Sequence, residues 1–245
     1  MINPIKIGMW SGPRNISTAL MRSFENRSDT IVIDEPFYAS FLKYTGVKHP
    51  LYKKIIETYD SSWPNVAKTL IGEIPNNKNI WYQKLMTHHW VGNESLDWTQ
   101  HIHNFFLIRN PKQVIISYSK IHNDITPELI GLPQQLYIFN YIMKKNNKTP
   151  IVISSEDVLN NPKLSLSTIC DLLNIPFEEQ MLNWPKGRRE SDGIWGQYWY
   201  KNVVKTTSFT KPIIQEQKIP DKFRKLLDEC MYYYKQMEKY KINNE

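Results

Sequence analysis

The chain has little cysteine, no long apolar run and no arginine-rich arm, and each of these removes a class of function. Two cysteines occur in 245 residues, Cys170 and Cys230, without metal-ligand or redox spacing. A disulfide scaffold and a thiolate metal centre therefore have no basis, and free thiols in a reducing cytoplasm are expected. No apolar stretch is long enough to span a bilayer. The start Met1-Ile2-Asn3-Pro4 lacks the charged, apolar and small-residue regions of a secretory signal, so a cytoplasmic address and no membrane partner are expected. No repeat or low-complexity linker interrupts residues 1–245, which favours one domain. The net charge of +7 suits an anionic ligand, but the basic residues do not gather into an arm or Arg-rich helix, so nucleic acid is not expected. The oligomeric state is left open. At 41% hydrophobic and 22% charged, the composition is that of a globular fold.

Apolar segments then alternate with helical periodicity. Strands are expected at about 5–10, Thr30–Asp34, Ile80–Met86, His103–Ile108 and about 150–154. Helices are expected at about 15–27, across about 37–72 with breaks near Pro50 and Pro64, after Pro111, and at about 133–146, 162–174 and 220–240. Residues at about 184–215 show no periodicity and read as a long loop, a type that is often functional. This alternation implies an α/β fold with a central parallel sheet between helical layers. Ligands of such sheets gather outside the carboxyl ends of the strands.

Two strand ends carry anion-type chemistry. The first runs Ser11-Gly12-Pro13-Arg14-Asn15-Ile16-Ser17-Thr18 into a helix. Helix N-termini offer unpaired N–H groups and partial positive charge, and Arg14, Ser17 and Thr18 add donors suited to phosphate or sulfate. Simple capping by Asn15 or Ser17 is the plainer reading. The turn is not a Walker A loop, because GxxxxGK[ST] is absent and no lysine precedes Ser17. Ile16 is β-branched, which implies ordinary negative φ at that point. The second end is Arg109-Asn110-Pro111-Lys112-Gln113-Val114-Ile115-Ile116-Ser117-Tyr118, where Arg109 and Ser117 converge if the chain reverses at Asn110-Pro111.

These two runs resemble the sulfotransferase family, which uses 3′-phosphoadenosine 5′-phosphosulfate as donor. The resemblance implies a P-loop-like α/β fold and a sulfuryl transfer to a hydroxyl or amine of a small acceptor, with no metal required. It carries Gly12, Arg14, Asn15, Ser17 and Thr18 over to the 5′-phosphosulfate loop, and Arg109 and Ser117 to the 3′-phosphate. Lys186-Gly187-Arg188-Arg189 resembles the basic loop that closes over the nucleotide, with Trp195, Trp199 and Tyr200 following as stacking candidates.

Arg14 would stabilise the departing phosphate oxygen. The acceptor's proton needs a base, and two candidates stand: Glu35, just past the second strand, and His88, just past the third. Lys84 is an assistant for the leaving group or a strand-end charge. Two rivals remain at this point. A divergent P-loop kinase would require magnesium and a triphosphate. A nucleotide-binding relative without activity would bind 3′-phosphoadenosine 5′-phosphate and transfer nothing.

Overall fold

The computed structural model describes residues 3–120, 122, 124–211 and 218–242. Its sheet comprises β1 (Ile5–Ser11), β2 (Thr30–Asp34), β3 (Ile80–Met86), β4 (His103–Ile108) and β5 (Ile151–Ser154). The order is β2-β3-β1-β4-β5 and every pairing is parallel. Helices α1 (Ser17–Glu25), α2 (Tyr38–Thr45), α3 (Tyr52–Thr58), α4 (Trp63–Leu70), α5 (Pro111–Tyr118) and α6 (Pro127–Ile130) lie between or after these strands. Helices α7 (Leu132–Asn146), α8 (Ser155–Asn160), α9 (Pro162–Leu172), α10 (Gly196–Trp199) and α11 (Arg224–Glu238) complete the chain.

Strand side chains alternate between faces, and this sorts the core into two layers. Ile7 and Met9 of β1 with Phe105 and Leu107 of β4 pack against Leu20, Met21 and Phe24 of α1 and Leu166 and Ile169 of α9. Trp10 and Phe106 point the other way, onto Leu70 of α4, Ile138 and Phe139 of α7 and Met237 of α11. Strands buried on both faces read as near-continuous apolar runs, which is why HNFFLI and IVIS were legible. Each fully buried Leu, Ile or Phe contributes about 1.5–3 kcal/mol by removal from water.

Some boundaries differ from the sequence expectation. The first helix begins at Ser17, because Arg14 and Ile16 adopt left-handed angles that no helix continues through. Pro64 sits in the first turn of α4 rather than at a break; the interruption precedes Trp63. The late segment is not a featureless loop. Within it, α10 forms, Val203–Lys205 makes a 3₁₀ turn, and Trp195 and Tyr200 are buried. Part of the expected loop, residues 212–215, lies outside the described residues. Among the described residues, no helix is long and apolar enough to cross a membrane.

Close approaches fix two glycines near the carboxyl ends of the strands. A Cβ on Gly12 would stand 2.5 Å from the Ile130 carbonyl. Gly131 has φ +77°, and a Cβ there would meet Thr87 Oγ1 at 2.5 Å and the His88 backbone nitrogen at 2.9 Å. Gly131→Ala is therefore expected to lower stability by about 1–3 kcal/mol, from strain plus displacement of the turn carrying His88. Urea unfolding of the two proteins measures it; equal midpoints would show that the turn yields freely.

Candidate active site

Strand β1 has β3 on one side and β4 on the other, so the chain leaving its carboxyl end emerges between theirs. A cavity of about 490 Å³ opens there, lined by Pro13 to Ala19, Glu35, Lys84, His88, Arg109 and Ser117 among others. Of the residues singled out from sequence, the cavity thus gathers Arg14, Asn15, Ser17, Thr18, Glu35, Lys84, His88, Arg109 and Ser117. Gly12 is buried behind it against α6. Lys186, Gly187 and Arg188 are not part of the lining. Lys186 and Arg188 are exposed, and the Gly187 amide donates to Val204 O at 2.9 Å. The late segment reaches the cavity instead through Trp199, Tyr200 and residues between Asn202 and Thr210.

The loop after β1 does not keep ordinary backbone angles. Arg14 has φ 59° and Ile16 φ 35°. A β-branched residue in the left-handed region is a steric outlier, worth on the order of 1–3 kcal/mol of strain. The expectation for Ile16 is corrected: tertiary contacts override its preference. The Asn15 amide donates to Leu107 O at 2.7 Å, tying the loop to β4, and Arg109 Nη1 donates to Arg14 O at 2.6 Å. The side chain of Ile16 packs with the α1 face of the core. No side chain caps α1, so Asn15 and Ser17 do not act as caps and the first turn faces the cavity.

The cationic half of the site consists of two guanidinium groups. Arg14 Nε donates to Ser117 Oγ at 2.9 Å. Arg109 is held by Gln113, whose Oε1 accepts from Nε at 3.2 Å and Nη2 at 3.1 Å. Ser117 therefore touches Arg14 rather than Arg109. Among the described residues neither arginine has a carboxylate within ion-pair distance. Burial pushes both pKa values down, and for Arg109 the Arg14 charge adds to this while Glu156 partly offsets it. Two partly buried positive charges share one cleft with no carboxylate in direct contact, which is the electrostatic profile of an anion site.

The opposite half is acidic and aromatic. Asp34 and Lys84 are register partners on β2 and β3. Lys84 Nζ donates to Asp34 Oδ1 at 2.8 Å, to Glu35 Oε1 at 2.8 Å and to the Tyr200 hydroxyl at 2.6 Å. All three ammonium hydrogens are thereby engaged. Burial alone would lower the Lys84 pKa; the two carboxylates outweigh it and hold the pKa above the ordinary lysine value. Glu35 has φ 45°, and its amide donates to Lys84 O at 3.0 Å before the chain turns away. Burial raises the Glu35 carboxyl above its usual range; Lys84 opposes that and Asp34 adds to it.

The turn Thr87–His89 follows β3 directly and brings both histidines to this wall. Tyr38 stacks on His89 with ring centroids 4.9 Å apart and planes within 5°, and its hydroxyl lies 2.7 Å from His49 Nδ1. Trp199 Nε1 donates to the same hydroxyl at 3.3 Å. Tyr38, His49, His89 and the Asp34 carboxylate were not singled out as site residues. The sequence signal for Asp34 and Tyr38 is position alone, since Asp34 ends a strand and Tyr38 opens the helix that follows Glu35.

Comparison with known proteins agrees with this architecture. The sulfotransferase-domain family profile matches residues 5–241, and the chain belongs to that family. In fold it is similar to the sulfotransferase domain of the Synechococcus PCC 7002 olefin synthase, with a TM-score of 0.55, 14% identity, and coverage of 95% of this chain and 96% of that one. The sulfotransferase domain from the curacin biosynthetic pathway gives a TM-score of 0.52 at 16% identity, covering 94% and 99%. Two Arabidopsis thaliana proteins are nearer in sequence. Branched-chain-amino-acid aminotransferase-like protein 2 is 34% identical over 228 residues, 93% of this chain and 40% of that protein. Branched-chain-amino-acid aminotransferase-like protein 1 is 34% identical over 234 residues, 96% of this chain and 42% of that protein. The chain thus spans about two fifths of the length of these curated relatives.

The histidines make stability pH-dependent. Burial first, then His49 and Lys84, push the His88 pKa down to about 3, and burial places His89 well below its ordinary value. Both stay neutral in the fold while the unfolded chain takes up protons below about pH 6.5. The unfolded state then binds more protons, so stability falls as pH drops from there toward the folded pKa. The expected slope is at most about 1.4 kcal/mol per pH unit per histidine. Thermal melts between pH 7 and 5 measure it, and His88→Asn is expected to flatten the curve; an unchanged slope would mean that His88 protonates freely in the fold.

Proposed function

We propose that this chain transfers a sulfuryl group from 3′-phosphoadenosine 5′-phosphosulfate to a hydroxyl or amine of a small acceptor. The observation that carries the reading is the pair Arg14 and Arg109, two cations without carboxylate partners on one cavity. The donor bears phosphate groups at its 3′ and 5′ ends, and its chemistry fits that pair. Family membership supports the same donor.

In the reaction so read, the acceptor oxygen or nitrogen attacks sulfur. The sulfur–oxygen bond to the 5′-phosphate breaks, and its electron pair stays on the phosphate oxygen. Arg14 and the N–H groups of the first α1 turn, which lines the cavity, stabilise that charge. Lys84 is committed to Asp34, Glu35 and Tyr200, so it acts on the acceptor side rather than on the leaving group. The acceptor's proton goes to Glu35. An elevated carboxyl pKa makes Glu35 a stronger base than an ordinary carboxylate, whereas a His88 imidazolium pKa of about 3 makes that ring a weak proton acceptor. The acceptor would enter against the Tyr38, His49 and Trp199 wall.

Binding separates the rival readings. 3′-Phosphoadenosine 5′-phosphate at saturating concentration is expected to raise the melting temperature, while ATP with magnesium does not. The reverse would support a divergent kinase. Binding without transfer of labelled sulfate to any of a library of alcohols, phenols and amines would support an inactive relative.

Arg109→Ala is expected to weaken 3′-phosphoadenosine 5′-phosphate by about 10- to 100-fold, the loss of a charged hydrogen bond. Adenosine 5′-phosphosulfate, which lacks the 3′-phosphate, is expected to change far less. Equal losses by calorimetry would assign Arg109 to holding the Arg14 loop instead. Glu35→Gln is expected to lower kcat by about 10²–10⁴-fold with nucleotide affinity retained. Undiminished turnover would move the base to His88.

A further inference from the structure

We infer that Tyr200 is a positioning residue for Glu35, delivered by the late segment to hold the Asp34–Lys84 pair in the one geometry that fixes the carboxylate. The inference rests on the reading of Glu35 as the base. Tyr200 lies just beyond α10, far in sequence from β2 and β3, yet its hydroxyl is at the centre of their charges. It stands 2.6 Å from Lys84 Nζ, 2.7 Å from Asp34 Oδ2 and 3.2 Å from Glu35 Oε1. A phenol has one proton to give. The shortest acceptor for it is Asp34, so the hydroxyl donates to Asp34 while accepting from Lys84 and, at 3.3 Å, from Trp195 Nε1. Glu35 Oε1 is then fixed by the lysine, and Oε2 is left toward His89 Nε2 at 3.9 Å.

Packing alone does not explain the hydroxyl. The ring belongs to an apolar cluster with Tyr38, Phe41 and Trp195, where phenylalanine would serve as well. Burying a hydroxyl in such surroundings is unfavourable unless hydrogen bonds offset it. The same segment is tied to Asp34 a second time, because the Gly193 amide donates to Oδ2 at 3.1 Å. Asp34 thus joins the late segment to the sheet, and Tyr200 completes the lysine's third bond. Without the hydroxyl, the ammonium loses one partner and Asp34 one donor. The Asp34 charge is then less compensated beside Glu35, and Glu35 holds a proton more readily.

The test compares Tyr200→Phe, which keeps the ring, with Asp34→Asn, which keeps the shape but removes the charge. The Glu35 carboxyl is titrated by ¹³C NMR, its signal assigned by its loss in Glu35→Gln. Tyr200→Phe is expected to raise the Glu35 midpoint by about half a pH unit or more, and Asp34→Asn to lower it. In turnover, the acid limb of kcat for Tyr200→Phe moves to higher pH. Its plateau falls on the order of ten- to hundredfold from misplacement of the base, with the Kd of 3′-phosphoadenosine 5′-phosphate within twofold. An unmoved midpoint in Tyr200→Phe, or shifts of the same sign in both variants, would overturn the inference. The titration is read without turnover, so a failure of the unsubstituted protein to transfer sulfate overturns the functional reading and not this one.

Discussion

Ser11, the last residue of β1, pairs with Met86 on one side and Leu107 on the other. That double parallel register is the constraint on which the site depends. A parallel sheet aligns strand ends, so three chains leave the same edge side by side. One brings the loop of Arg14, one brings Arg109, and one brings Lys84 followed by the two histidines. β2 pairs with β3 from Thr30 to Asp34, which adds Asp34 and Glu35 to the same edge. No single element contains the site, and a one-residue slip of β1 against β3 or β4 would turn its side chains to the wrong face.

The strands were legible because each carries an apolar run that meets a helical layer on one face or both, as in FFLI of β4 and IVI of β5. The two runs that meet in the cavity were legible because each joins a strand end, a basic residue and a helix start within a dozen positions. The partners of those runs were less so. Asp34 reads in sequence as a polar residue ending a strand, and only its register opposite Lys84 reveals an ion pair. Tyr200 is visible as an aromatic in an aperiodic segment, which suggests stacking; its hydroxyl is what the fold uses. Basic residues 186–188 looked more important than 199–210, because charge is conspicuous in sequence and burial is not. Ile16 marks the limit of propensity. Its side chain disfavours the backbone it adopts, and the bonds from Asn15 and Arg109 to the neighbouring backbone impose that conformation regardless.

Three non-glycine residues of the cavity hold positive φ: Arg14, Ile16 and Glu35. Strain of this kind persists only where surrounding contacts over-determine it. For Arg14 the determining contact is with Arg109, whose Nη1 reaches the Arg14 carbonyl. The second cation therefore does two things at once: it supplies charge to the cleft and fixes the backbone that aims the first. For Glu35 the determining contacts are both with one lysine: the Glu35 N–H donates to Lys84 O, and the ammonium donates to Glu35 Oε1. Arg14 and Glu35 are thus each held by a partner on an adjacent strand or just beyond its end, which couples the site's geometry to sheet register rather than to local sequence.

The division of charge within the cavity follows from the same arrangement. Had Lys84 been free, it would have joined Arg14 and Arg109 as a third uncompensated cation, and a buried carboxylate nearby would have paired with whichever came closest. The Asp34–Lys84–Tyr200 set prevents that. Together with Glu35 Oε1 it saturates the lysine's donors, and it leaves the second oxygen of Glu35 unclaimed by the ammonium. The cavity thus has a cationic end and an acidic one. The proposed sulfuryl transfer would use that division: negative charge would build on the leaving oxygen while a proton departs from the acceptor on the far side of sulfur. Glu35 is paired with Lys84 rather than with Arg14 or Arg109, and Asp34 shares that lysine, so neither guanidinium is neutralised by the carboxylates at the end of β2.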